Sequence, residues 1–65
     1  MIKYYLDEQA NMFYKELWYE DKLVKIFGSP VTVETIEMNC VVIKNECYVR
    51  TDRYKNNLLE LEYLK

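Results

Sequence analysis

Asp7-Glu-Gln-Ala-Asn-Met-Phe-Tyr-Lys-Glu-Leu-Trp-Tyr-Glu20 is the stretch on which the fold turns, because it fits two periods at once. As a helix, Asp7 caps the N-terminus and Glu8 lies in the first turn. Ala10, Phe13, Tyr14, Leu17 and Trp18 then share one face. As half a hairpin, with Asp21-Lys22 as a tight turn, Tyr19 faces Val24 and Leu17 faces Ile26. Trp18 then faces Lys25 on the other side, within reach of a cation–π contact. Composition favours the strand. One Ala stands against many Tyr, Val, Ile and Thr, which lose side-chain freedom in a helix and pack well on a pleated surface.

Moving outward, the other signals are those of strands. Ile2 to Leu6 reads as one, and Val31-Thr-Val-Glu-Thr-Ile36 is β-branched almost throughout. Cys40 to Ile43 and Cys47 to Thr51 flank the polar Lys44-Asn45-Glu46, a hairpin pattern. Leu59, Leu61 and Tyr63 alternate with Glu60 and Glu62, a period of two. Asn56-Asn57 before them suits a turn, since Asn tolerates left-handed φ; a terminal helix over 52–64 would enclose both. Gly28-Ser29-Pro30 reads as punctuation, its Pro ending whatever precedes it. The expectation is one small domain over residues 1–65. It is mostly β, a small antiparallel sheet of five or six strands curled as a half-barrel or sandwich. The alternative is α+β, with one helix at about 8–20 packed on a four-stranded sheet.

Cys40 and Cys47 do not fit a disulfide. With Asn45-Glu46 as the turn they lie about three residues apart along the sheet, roughly 10 Å at 3.3 Å per residue. A bridge needs Cα atoms within about 7 Å. Free thiols imply a reducing compartment. The N-terminus lacks the apolar stretch of a signal peptide, and the longest aliphatic run, Cys40 to Ile43, is far too short for a membrane span. The expected location is therefore the cytoplasm.

The inventory for catalysis is poor. There is no histidine, so the commonest general base and metal ligand is missing. Ser29, the sole serine, has no base to activate it. The cysteines lack the two-residue spacing of zinc or redox pairs, and one glycine cannot build a phosphate-cradling loop. Glu60 and Glu62 would lie on one face of a strand about 6.6 Å apart. That falls near glycosidase separations, but their alternation with leucines already explains them as a wet face. Glu34 with Glu37, or Glu20 with Asp21, offers carboxylates to a hard cation without any EF-hand pattern. The expectation is a chain that is not an enzyme, with no cofactor and no metal.

Binding is the better expectation. A chain of 65 residues hides only about 60% of its unfolded surface. Yet 15% of its residues are aromatic: Tyr4, Tyr5, Phe13, Tyr14, Trp18, Tyr19, Phe27, Tyr48, Tyr54 and Tyr63. Ten such rings exceed what the interior holds, and clustered surface rings mark interfaces. Trp18, Tyr14, Tyr19 and Tyr5 are the candidate contacts with a protein partner, since Trp and Tyr dominate hot spots. Unpaired sheet edges make a homodimer or higher oligomer a further expectation.

The net charge of −2 does not suggest a nucleic-acid binder. A local patch of Tyr48, Arg50, Arg53, Tyr54 and Lys55 nevertheless carries that alternative, as a small β-barrel that stacks bases. Lys, Asn, Ile and Tyr abound while Ala, Gly, Pro and Arg are scarce, a bias of A+T-rich genomes. The leading expectation is a small inhibitor or modulator of a larger host protein, encoded by a phage or mobile element and working in the host cytoplasm. A structural homo-oligomer is the third.

Overall fold

The computed structural model describes residues 1–64, without the side chains of residues 35–37. Seven strands run through them: β1 (Ile2–Asp7), β2 (Met12–Tyr19), β3 (Lys22–Pro30), β4 (Val33–Glu37), β5 (Cys40–Ile43), β6 (Glu46–Lys55) and β7 (Leu58–Leu64). They form one antiparallel sheet in the order β3-β2-β1-β7-β6-β5-β4. The mostly-β expectation holds, with seven strands in place of five or six, because the ambiguous stretch after Asp7 forms a full hairpin, β2 and β3, beside the five segments that read as strands outright. The helix at 8–20 does not form. Asp7 keeps its capping chemistry but spends it on a turn, its Oδ1 accepting from the backbone N–H of Gln9 (3.1 Å) and Ala10 (3.2 Å).

The sheet curls. Phe13 on β2 and Tyr48 on β6 meet with ring centroids 5.2 Å apart. Three strand spacings of about 4.8 Å would separate them by roughly 14 Å in a flat sheet. The concave face encloses the core of Leu6, Phe13, Val41, Ile43, Tyr48, Leu59 and Leu61, with Tyr4, Val31 and Val33 packed against it. Closure is incomplete: among the described residues β3 pairs as a strand only with β2, and β4 only with β5, although the Lys44 ammonium reaches across to Ser29 Oγ at 3.0 Å. Among the described residues the backbone ladder between the two halves, β1–β3 and β4–β7, consists of three residue pairs: Tyr4↔Leu61, Tyr5↔Glu60 and Leu6↔Leu59. Side chains reinforce this joint, through Arg50 on Glu8 and Lys55 on Glu16.

With a single glycine available, other residues adopt the left-handed backbone that tight hairpins need. Glu20 (φ 49°) and Asp21 (φ 62°) form the β2–β3 turn, and Lys44 (φ 52°) and Asn45 (φ 64°) the β5–β6 turn. Both turns lie one residue earlier than the sequence patterns imply. Tyr19 therefore pairs with Lys22, and Val42 with Cys47. A bulge at Leu17/Trp18 then sets Leu17 opposite Lys25 and Trp18 opposite Leu23. Cys40 lies opposite Val49, and both cysteines are free. Gly28-Ser29-Pro30 ends strand β3 and is no turn; on an edge strand the missing Pro N–H is harmless. Asn56-Asn57 is a turn, with Asn56 at φ 57°.

Left-handed φ is costly for Glu and mild for Asn. Glu20→Asn should therefore stabilise the chain by about 0.5–1 kcal/mol, seen as a raised thermal midpoint. An unchanged or lowered midpoint would show that the turn carries no such strain.

Tyr48 provides a titratable probe of the core. Burial, with Tyr4, Glu46 and Tyr63 nearby, pushes its hydroxyl from 10.0 up to about 12. The neutral phenol is thus favoured in the folded state. This stability is fully present below pH 10 and is lost as pH rises toward 12, roughly 2–3 kcal/mol in all. Burial raises Tyr5 as well. Urea unfolding followed across this range should show the loss, and Tyr48→Phe should flatten it; an equally steep loss in the variant would contradict the assignment.

Candidate protein-binding surface

Side-chain alternation along β2 and the register to its neighbours sort the hairpin residues onto two faces. Tyr14 lies opposite Tyr5 and Gly28, and Glu16 opposite Lys3 and Ile26. These residues, with Trp18, occupy the convex face. Phe13, Lys15 and Leu17 point the other way, as do their partners Ser29, Phe27 and Lys25. Tyr14 has a tight seat: a Cβ added at Gly28 would lie 2.9 Å from its Cε1, so the sole glycine makes room for the ring.

The four aromatic contacts expected from sequence separate. Tyr5 is buried at 5% exposure and cannot offer its ring to a partner. It packs beside Glu60 in register, with the Lys55 ammonium 5.4 Å from its ring centroid. Trp18 and Tyr14 are half-buried. Only Tyr19, at 69%, stands clear, and the alternation places it on the opposite face from Trp18.

Trp18 belongs to a polar network. Its Nε1 donates to Glu16 (3.0 Å), and Lys3, not Lys25, lies over its ring at 4.3 Å. Lys25 lies instead over Phe27, at 4.8 Å. Glu16 is itself only 5% exposed, and Lys55 Nζ donates to its other oxygen at 3.0 Å. Burial pushes the Glu16 carboxyl up, but the hydrogen bonds from Trp18 and Lys55 outweigh it and hold it below the usual carboxylate range.

The exposed apolar residues lie where sequence reasoning did not point. Leu23, Val24, Ile26 and Phe27 of β3 are each 42–60% exposed, and Leu17 and Ile2 add to them. They are apolar at both parities, so β3 presents oily side chains on both of its faces, next to a free edge. A run such as Leu23-Val-Lys-Ile-Phe27 normally marks a strand covered on both sides. Its partial burial here is the signal. On the concave side Ile2, Phe13 and Phe27 border a groove of about 520 Å³ with Lys15, Ser29 and Lys44 at its margin.

The alternative basic-aromatic patch is taken up by the fold itself. Tyr48 is in the core. Arg50 donates to both oxygens of Glu8 (2.7 and 3.3 Å), and the Tyr54 hydroxyl reaches the same carboxylate at 3.4 Å. The Arg50 hydrogen bond holds Glu8 below the ordinary carboxylate range. Arg53 pairs with Glu60 and Glu62, and Lys55 with Glu16. A phosphate would have to displace a carboxylate from each of these cations. The same pairs engage Glu60 and Glu62, the carboxylates spaced like a glycosidase pair. Among the described residues no group of three His, Cys, Asp or Glu is placed to hold a metal ion. Glu37, paired with Glu34 in the sequence argument, has its side chain outside the described residues. No helix is long and apolar enough to cross a membrane.

Fold and surface together define a small all-β protein: one open antiparallel sheet with an oily edge strand. No protein-family model, curated protein or solved structure matches the chain.

Proposed function

We propose that this chain is a non-enzymatic protein-binding module whose contact surface is the β2–β3 hairpin. The observation that carries the reading is the exposure of Leu23, Val24, Ile26 and Phe27 on an unpaired edge strand. Solvated apolar side chains in such density are costly to leave open in a chain with so little core, and docking removes them from water. Tyr19 at the hairpin tip supplies the aromatic anchor. The compositional bias toward A+T-rich codons supports an origin in a phage or mobile element, with inhibition or modulation of a larger host protein as the role and the host cytoplasm as the setting.

The experiment is affinity capture from a host extract with the tagged chain and with an Ile26→Ala/Phe27→Ala variant. The reading expects a protein held by the first and lost by the second. Identical recoveries from both would contradict it. The nucleic-acid alternative is disfavoured by the carboxylate partners of Arg50, Arg53 and Lys55.

A further inference from the structure

We infer that copies of this chain associate edge to edge, the β3 edge of one molecule pairing with the β4 edge of the next. The inference rests on the reading of β3 as a contact surface and goes further by naming a strand that fits it. Neither edge is paired with a further strand: among the described residues β3 pairs with β2 alone and β4 with β5 alone, and the Lys44 ammonium donates to Ser29 Oγ (3.0 Å) near the C-terminal end of β3. An unpaired edge presents a row of backbone donors and acceptors, and an apolar one is a template for another strand.

Charge selects the partner. Strand β3 carries Lys22 and Lys25 and no acid, whereas β4 carries Glu34 and Glu37 and no base. Pairing β3 with β3 of a second copy gathers lysines into one seam, and pairing β4 with β4 gathers glutamates. Only the β3–β4 combination brings opposite charges together. The lysines thus protect β3 against its own copy while leaving it open to an acidic strand. Lys15 and Lys44 extend the basic character along the groove beside β3, which no carboxylate lines. On β4, Glu34 is exposed.

The contact joins two different patches, so each added copy leaves a free β3 at one end and a free β4 at the other. Such assembly closes into a ring, of two copies or more, or continues as a chain.

Light scattering on the purified protein, across concentration and at low and high salt, tests this. At low salt the mass should climb from 8.0 kDa to at least that of a dimer as concentration rises. At high salt it should fall back toward a single chain. Lys22→Glu/Lys25→Glu and Glu34→Lys/Glu37→Lys should each give single chains. Mixed in equal amounts they should assemble again, since every β3–β4 contact between one variant and the other is once more of opposite sign. That rescue also shows that both variants fold. A single-chain mass at every concentration overturns the inference, as does a discrete dimer indifferent to the charge reversals. Neither result touches capture of a different protein by the hairpin. Conversely, loss of that capture leaves the self-association measurement standing.

Discussion

Removing the Ile26 and Phe27 side chains together should weaken the captured complex by at least about 100-fold, an effect of roughly 3 kcal/mol or more. Each side chain is about half exposed in the free chain. Each therefore has apolar area left to bury on docking, and they leave β3 on opposite faces, so a partner strand laid along the edge would touch both. Folding should change little, because neither residue belongs to the core cluster. Glu62→Ala, at an exposed position on β7, is the matched control and should leave affinity within about twofold. Affinity should be read by titration of the captured protein, with circular dichroism to confirm that the sheet persists. Equal losses from the double variant and the control would remove the hairpin from the interface.

Leu59→Ala should cost about 3–5 kcal/mol of folding free energy. Leu59 is fully buried and sits in the three-pair joint, opposite Leu6 on β1 and Tyr54 on β6. Truncating it opens a void at the backbone ladder that joins the two halves of the sheet. A chain of this length has a total stability of about 3–10 kcal/mol, so a large share would go and part of the population would unfold at room temperature. Leu64→Ala, at the exposed end of the same strand, should cost less than about 1 kcal/mol. Urea unfolding of both variants measures the contrast. Similar losses from the two would mean that the joint does not hold the halves together.

Most strands were legible from pattern alone. The alternation of Leu59, Leu61 and Tyr63 and the β-branched run from Val31 each mark a strand, and Asn56-Asn57 marks the turn between β6 and β7. The tight turns were legible only to within a residue. Glu20-Asp21 and Lys44-Asn45 adopt left-handed φ although Glu and Lys do not advertise it, so the turn chemistry misled while tertiary pairing decided the register. Register in turn moved the cation over Trp18 from Lys25 to Lys3.

The surplus of aromatic rings was legible; their placement was not. Only Tyr5, Phe13 and Tyr48 are buried, while Tyr19, Phe27, Tyr54 and Tyr63 remain exposed. Tyr5 and Tyr14 share the convex face, and which of them is hidden depends on neighbours from β7 and β6 that lie far away in the chain. The exposure of β3 was hidden for the same reason. That Leu23-Val-Lys-Ile-Phe27 forms an edge follows from β7 pairing with β1, a long-range contact that no local pattern encodes.

A photoreactive amino acid placed at Val24 and, separately, at Glu62 asks the main question most directly. If the free face of the edge strand is where another protein docks, irradiation in a host extract should attach one discrete protein at position 24 and little or nothing at position 62. Equal or stronger attachment at position 62, with position 24 bare, would mean that the oily strand is not the docking surface.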